Sequence, residues 1–490
     1  MGEEASKPVE KQDEKDAKKR KLLGIEPVET HHKIAVGDRE LGYIARSGGM
    51  ALTDDLGETE AEIFFTAYDL DLEPGSDRMD RPLAFVFNGG PGSSSVWLHM
   101  GALGPKRVRM QEEGWMPPPP YRYGDNQHTW LDQVDLVFVD PAGTGFSRAA
   151  KEELDKRFWS FQGDIESVGE FIRLYLTRYK RWTSPLFLAG ESYGTTRAAA
   201  LAGHLVDRGI TFNGIILIST VLDMSAIHFT VANDLPYALF VPTYTATAWF
   251  HDRLDESLQS RSLPDLMAEV TSWSETELTV ALMKGDRLGE EERRRISETL
   301  AHYTGLDPDY VLGTNLRVDI HRFCKELLRE SRRSVGRLDS RFQGVEALAV
   351  NERPEFDPSM LAITPPYTAA LNQYVRSELG VETDLVYETL SMTVNQKWEW
   401  QNGMLPATGE ALRGAIAKNP YMKVLVGQGY YDLATPHFAT QYMITHMNID
   451  PELRGNVEMK NYEAGHMFYL DEASLAAFKN DVDEFITRSV

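Results

Sequence analysis

The sequence predicts an α/β fold, in which a mostly parallel sheet carries helices on both faces and a helical cap is inserted into it. Three observations predict this. Short, unbroken apolar runs recur, and each ends in a turn signal. A stretch with helical spacing lies between two of those runs. The pattern then lapses for about 160 residues and returns near the end of the chain.

The elements follow in chain order. Residues 1–22 hold no aromatic and almost no apolar side chain, so burial cannot offset their ordering entropy. The first 24 residues are expected to be a disordered tail. No apolar h-region is visible in it, which predicts a cytoplasmic protein. A periplasmic or secreted protein whose signal peptide is absent from the sequence is the alternative. Between Ile34 and Asp71, apolar and polar positions alternate and are broken by Gly and Asp, which predicts short antiparallel strands. Four runs suited to strands buried on both faces follow at 82–92, 134–145, 184–196 and 213–220. Apolar residues at 165, 168, 171, 172, 175 and 176 place a helix between the second and third. Residues 226–390 are charged, aromatic and mostly helical in pattern, and are read as the cap. Buried-strand patterns return at 422–432 and 457–466. The predicted catalytic domain is therefore 25–225 together with 391–490.

Composition excludes several classes. The net charge of −23 repels a phosphate backbone, so no nucleic-acid partner is expected. No apolar run reaches the ~18–20 residues of a spanning helix, so no membrane partner is expected either. Hydrophobic residues at 42% and aromatics at 10% can supply a large core. The single cysteine, Cys324, rules out a disulfide within the chain. No motif speaks to oligomeric state.

The segment Gly190-Glu191-Ser192-Tyr193-Gly194 matches G-x-S-x-G. It follows the strand PLFLA and precedes the small-residue helix TTRAAALAGHLV, which is the strand–turn–helix context of a nucleophile elbow. A serine hydroxyl is a weak nucleophile and needs a base. In this architecture the order is Ser, then an acid, then His. Asp432 lies just past a predicted strand, and His437, His446 and His466 follow it. His437 opens a helix close to the acid, and His446 lies in a helical stretch. His466 lies in a glycine-containing loop after the next strand, where the base belongs. Ser192, His466 and Asp432 are thus the candidate nucleophile, general base and orienting carboxylate. The glycine-rich loop FNGGPGSSS at 87–95 is the candidate source of a second oxyanion donor, with Gly90 and Tyr193 giving backbone N–H groups. It lacks the G-x-G-x-x-G and G-K-[ST] patterns of phosphate cradles.

The segments NGGPGSSS, DPAGTGFS, GESYG, DLATP and AGHM, in this order over about 88–470, resemble the serine carboxypeptidase family of α/β-hydrolases. The stretch FNGGPGSSSVWLHMGALGPKRV resembles its bacterial branch. The resemblance implies an α/β-hydrolase fold with a helical insertion over the site. It also implies release of single residues from peptide C-termini, with no metal and no cofactor. In such proteins an Asn, a Gly and two glutamates bind the substrate's terminal carboxylate. The Asn and Gly fall on Asn88 and Gly89, and one glutamate falls on Glu191. The other falls on Ala102, a departure that removes a carboxyl able to share a proton with Glu191. Lys106 and Arg107 are either the source of a replacement charge or ordinary surface residues. A family disulfide cysteine falls on Ser93.

Two activities fit this machinery. One is a carboxypeptidase acting through an acyl-enzyme on a peptide. The other is an esterase, amidase or acyltransferase acting on a small acyl compound. A binding protein that had lost catalysis would show a damaged triad, whereas all three candidate residues are present.

Overall fold

The computed structural model describes residues 20–73, 75–400 and 403–490. Most of the expected tail, residues 1–19, lies outside the described residues. Its last five residues, 20–24, are packed, which corrects the predicted boundary. Arg20 pairs with Asp155, Leu23 is buried, and the Gly24 N–H donates to Glu62 at 3.0 Å. These partners lie far along the chain, so local composition could not reveal them.

One sheet organises the chain. Its main strands are β1 (Val28–Val36), β2 (Arg39–Thr53), β3 (Thr59–Leu70), β4 (Leu83–Phe87), β5 (Asp135–Val139), β6 (Leu186–Ser192), β7 (Gly214–Thr220), β8 (Lys423–Gly429) and β9 (Val457–Tyr462). Their order is β1-β2-β3-β5-β4-β6-β7-β8-β9, and residues 148–149 add a short pairing to β3. The first three join each other and β5 antiparallel. Every pairing from β5 to β9 is parallel. The early strands are long rather than short. Gly48 and Gly49 do not break β2, because the second glycine admits a close neighbour: a Cβ there would lie 2.2 Å from Glu62 Oε1.

The continuous apolar runs have a simple cause. Successive side chains of a strand point to opposite faces, and both faces of this sheet are covered. Ile215 and Leu217 of β7 join one core, and Ile216 and Ile218 join the other. Val137 and Val139 of β5 divide from Leu136 and Phe138 in the same way. Each such side chain contributes roughly 1.5–3 kcal/mol by leaving water. Helices α1 (Phe161–Arg178) and α2 (Tyr193–Val206) cover the first face. Helices α3 (Pro358–Ser377) and α4 (Glu472–Ser489) cover the second.

The region expected to form the cap, 226–390, divides. Its apolar residues between Ala238 and Val335 build a third core of their own, which includes Cys324. Residues from α3 to Val381 instead pack onto the sheet. A small antiparallel hairpin, Arg333–Val335 with Gln343–Val345, lies between the two parts. No helix among the described residues is long and apolar enough to cross a membrane.

Candidate active site

Ser192 is the last residue of β6, and Tyr193 is the first of α2. Bending from strand to helix in one residue puts Ser192 at φ 59° and ψ −129°, a left-handed conformation that costs a non-glycine residue roughly 1–3 kcal/mol. Gly190 allows the sharp bend, because a Cβ there would meet the Gly194 carbonyl at 2.2 Å. The turn aims Ser192 into a cavity of about 370 Å³. Asn88, Gly89, Gly90, Glu191 and His466 line the same cavity.

His466 follows β9, and Asp432 follows β8. His466 Nδ1 lies 2.7 Å from Asp432 Oδ2. A carboxylate only accepts, so Nδ1 carries the hydrogen and Nε2 is left as the free base. Asp432 is fully buried and also accepts from the Ala434 and Thr435 N–H groups and the Thr435 hydroxyl. Burial works to lower the basicity of His466. The Asp432 charge, its hydrogen bond to the ring and the nearby Glu191 together outweigh burial and hold the imidazole above its ordinary range. Ser192 Oγ and His466 share no hydrogen bond among the described residues; such bonds often tighten only on substrate binding. His437 faces elsewhere: it meets the Thr243 hydroxyl at 3.2 Å, and burial depresses it to about 4.

The loop opposite Ser192 is held on several sides. Ser95 donates to Asp140 through both its N–H and its hydroxyl, each at 2.8 Å. Burial pushes the Asp140 carboxyl up to about 6 against those bonds. Arg197 Nη1 donates to the Asn88 carbonyl at 2.6 Å, and its Nε to Asp164 at 2.8 Å. Tyr193 donates its hydroxyl to the same Asp164 oxygen. The Tyr193 ring therefore points into the core, and only its backbone serves the site. As the first residue of α2 its N–H has no acceptor within the helix. A Cβ on Gly89 would lie 2.4 Å from that nitrogen, so the loop passes directly over it. The Asn88 side-chain Oδ1 accepts from the Leu98 N–H, while its buried Nδ2 faces Glu191 and the Tyr469 hydroxyl without a well-formed hydrogen bond to either.

Glu191 is 3% exposed, and burial raises it to about 7. Its Oε2 accepts from the Tyr469 hydroxyl. Ala102 is fully buried in the turn 99–103. Neither alternative for its charged neighbours holds. Lys106 pairs with Asp125 and Glu378, and Arg107 is buried against the Gly101, Tyr469 and Leu470 carbonyls, so neither lines the cavity. At the position of the family's cysteine, Ser93 accepts from Trp97 Nε1. Backbone bonds from Ser94 to Thr389 and from Ser391 to Gly92 tie this loop to the segment before residue 392.

Sequence reasoning missed Arg197, Asp164, Asp140 and Tyr469. Arg197 left a signal, being a lone cation inside the small-residue helix after the nucleophile. Asp140 opens the DPAGTGFS segment, which marked the stretch but not its role, and Asp164 and Tyr469 left no signal because their partners are remote in sequence.

Comparison with known proteins bears on the family and the fold. A stretch of 149 residues is 32% identical to the pheromone-processing carboxypeptidase KEX1 of Saccharomyces cerevisiae, over 29% of this chain and 19% of that protein. Serine carboxypeptidase-like 33 of Arabidopsis thaliana is 31% identical over 155 residues, 31% of this chain and 30% of its own length. The chain thus aligns with only a minor part of these curated relatives. The crystal structure of the prohormone-processing carboxypeptidase Kex1Δp from Saccharomyces cerevisiae superposes with a TM-score of 0.57 at 17% identity, covering 90% of this chain and 91% of that one. This likeness establishes the α/β-hydrolase fold. These relatives are fungal and plant proteins and lend no support to the expected bacterial branch. The family model described as serine carboxypeptidase matches residues 53–472, and the chain belongs to that family.

Proposed function

We propose that the protein is a serine-type carboxypeptidase that cleaves the last peptide bond of its substrate through an acyl-enzyme. One observation carries the reading. A buried carboxyl raised to about 7, Glu191, and an unpartnered donor, Asn88 Nδ2, lie on the wall of the cavity that holds Ser192. A peptide's terminal carboxylate needs donors beside the nucleophile, and a neutral Glu191 with Asn88 and the Gly89 backbone can offer them.

In this mechanism Ser192 Oγ attacks the carbonyl carbon of the last peptide bond. Its proton passes to His466 Nε2 while Asp432 stabilises the resulting imidazolium. The Gly90 and Tyr193 N–H groups hold the oxyanion, and one such donor is worth about 3–4 kcal/mol in the transition state. The C–N bond breaks, His466 protonates the departing amine, and the terminal amino acid leaves. His466 then takes a proton from water, which attacks the ester and regenerates Ser192.

A second reading, an esterase, amidase or acyltransferase for small acyl compounds, is favoured by Ala102. Where a second carboxyl would help to read the substrate, this chain has a methyl group. Matched peptides with free and amidated C-termini separate the two. The carboxypeptidase reading expects the free acids to be cleaved at least about tenfold faster in kcat/KM. Equal cleavage of both forms overturns it.

A further inference from the structure

Tyr469 is fully buried and does not line the cavity, yet its hydroxyl reaches Glu191, which does. Its ring packs on the turn 99–103. A Cβ on Gly101 would stand 2.7 Å from Tyr469 Cε2 and 2.6 Å from the Tyr367 hydroxyl. Its backbone is clamped by the buried Arg107, which donates to the Tyr469 carbonyl at 2.9 Å, the Leu470 carbonyl at 3.3 Å and the Gly101 carbonyl at 3.1 Å. With ring and backbone both fixed, the hydroxyl is held against Glu191.

We propose that Tyr469 is a positioning residue for carboxylate recognition, its hydroxyl occupying Glu191 Oε2 so that the acid proton of Glu191 is carried on Oε1 and offered to the substrate's terminal carboxylate. This rests on the carboxypeptidase reading. A neutral carboxyl has one O–H to give, and its other oxygen only accepts. Because the tyrosine donates to Oε2, the proton resides on Oε1.

The tyrosine serves throughout the working range, since burial holds its hydroxyl well above the ordinary tyrosine value. Other groups face Glu191 as well. Burial favours its neutral form, His466, the Tyr469 hydroxyl and the nearby Asn88 side-chain amide favour the ionised form, and Asp432 opposes ionisation. Tyr367 is a further titratable neighbour, with Arg107 beyond it, and Arg337 and Asp357 line the same cavity. The methyl group of Ala102 adds no ionisable group, so recognition is lost through a single ionisation near pH 7.

Binding is measured in a Ser192→Ala background, so that chemistry does not intervene. The probes are an N-acylated dipeptide with a free C-terminus and its amide, titrated calorimetrically from about pH 5 to about pH 9. The parent is expected to prefer the acid and to lose that preference on passing about pH 7. Adding Tyr469→Phe should weaken acid binding about tenfold more than amide binding at the acid end. It should also move the inflection to higher pH, because a donor to the ionised form is gone. Equal losses for acid and amide, or an inflection that stays in place, overturn the proposal. Glu191→Gln should abolish the inflection; its survival there overturns the proposal independently of how Tyr469→Phe folds. A parent that never prefers the acid overturns the carboxypeptidase reading, and this inference falls with it. A preference that survives Tyr469→Phe unchanged overturns this inference alone.

Discussion

Ser192 and the loop opposite it are held mainly by groups inside the sheet's own core, whereas the loop that carries His466 also leans on the inserted region. On the nucleophile side, the buried Arg197–Asp164 pair joins α2, α1 and the Asn88 carbonyl. On the base side, the His466 N–H donates to the Leu338 carbonyl, and the Gly465 N–H donates to Asp339. Leu338 and Asp339 both lie in the turn of the inserted hairpin. Tyr431 and Leu433, on either side of Asp432, are buried in the helical core that the insertion builds. One wall is therefore joined mainly within the catalytic domain. The other depends on a segment more than 120 residues away in sequence. The backbone that carries His466 therefore rests in part on the docked insertion.

The largest expected effect tests the local wall. Ser192→Ala should reduce turnover by about 10⁶-fold, as removal of a triad serine does. Ser192→Gly should be as inactive but more stable by about 1 kcal/mol, because glycine relieves the φ of 59°. Denaturant midpoints and kcat measured together check both. A Ser192→Gly protein no more stable than the parent would show that the turn is not strained.

Arg197→Met is next. It leaves Asp164 charged and buried, and should cost about 3–5 kcal/mol of stability. Replacing both partners, Asp164→Leu with Arg197→Met, should recover most of that loss. Activity should not return with it, since the Asn88 carbonyl and the Tyr193 hydroxyl remain unpaired. Recovery of kcat along with stability would reduce the pair to a packing role.

Asp339→Ala probes the base wall. It removes the acceptor of the Gly465 N–H and the carboxylate partner of the buried Arg341. The expected cost is about 2 kcal/mol, together with a roughly tenfold fall in kcat as the His466 loop loosens. A fall in stability without a fall in kcat would mean that the insertion covers the site but does not position it.

The same contrast explains what the sequence disclosed. The parallel strands were legible because a strand buried on both faces must be apolar throughout, as in residues 214–218. The elbow was legible because strand, glycine, serine and helix are contiguous. His466 was legible from chain order together with its place in a glycine-containing loop after a strand. What holds these residues was not, because Asp164, Asp339 and Tyr469 act through partners that only the fold brings near. The division of the inserted region was hidden for a related reason. Helices between Ala238 and Val335 and the helix α3 share an amphipathic pattern, and a pattern does not name the surface it covers.

The smallest effect lies in the pH profile, where the two walls act in opposite directions. Catalysis needs neutral His466. Because Asp432 holds the imidazole above its ordinary value of 6.5, activity should fall as pH drops through a point above 6.5. Recognition of a terminal carboxylate needs neutral Glu191, which is lost as pH rises through about 7. For free-acid peptides kcat/KM should therefore carry an acid limb set by His466 and an alkaline limb set by Glu191, whereas an ester substrate without a carboxylate should keep only the acid limb. Thr435→Val sharpens this. It removes the hydroxyl that shares Asp432 Oδ2 with His466 and leaves more of that charge to the imidazolium. His466 should then bind its proton more tightly, and the acid limb should move to higher pH for both substrates. At the original acid-limb midpoint the rate should fall about twofold. The alkaline limb of the free-acid profile belongs to Glu191, which faces both His466 and Asp432, and should move less than the acid limb. If both limbs moved equally, the two walls would be a single coupled unit rather than separately fixed halves of the site.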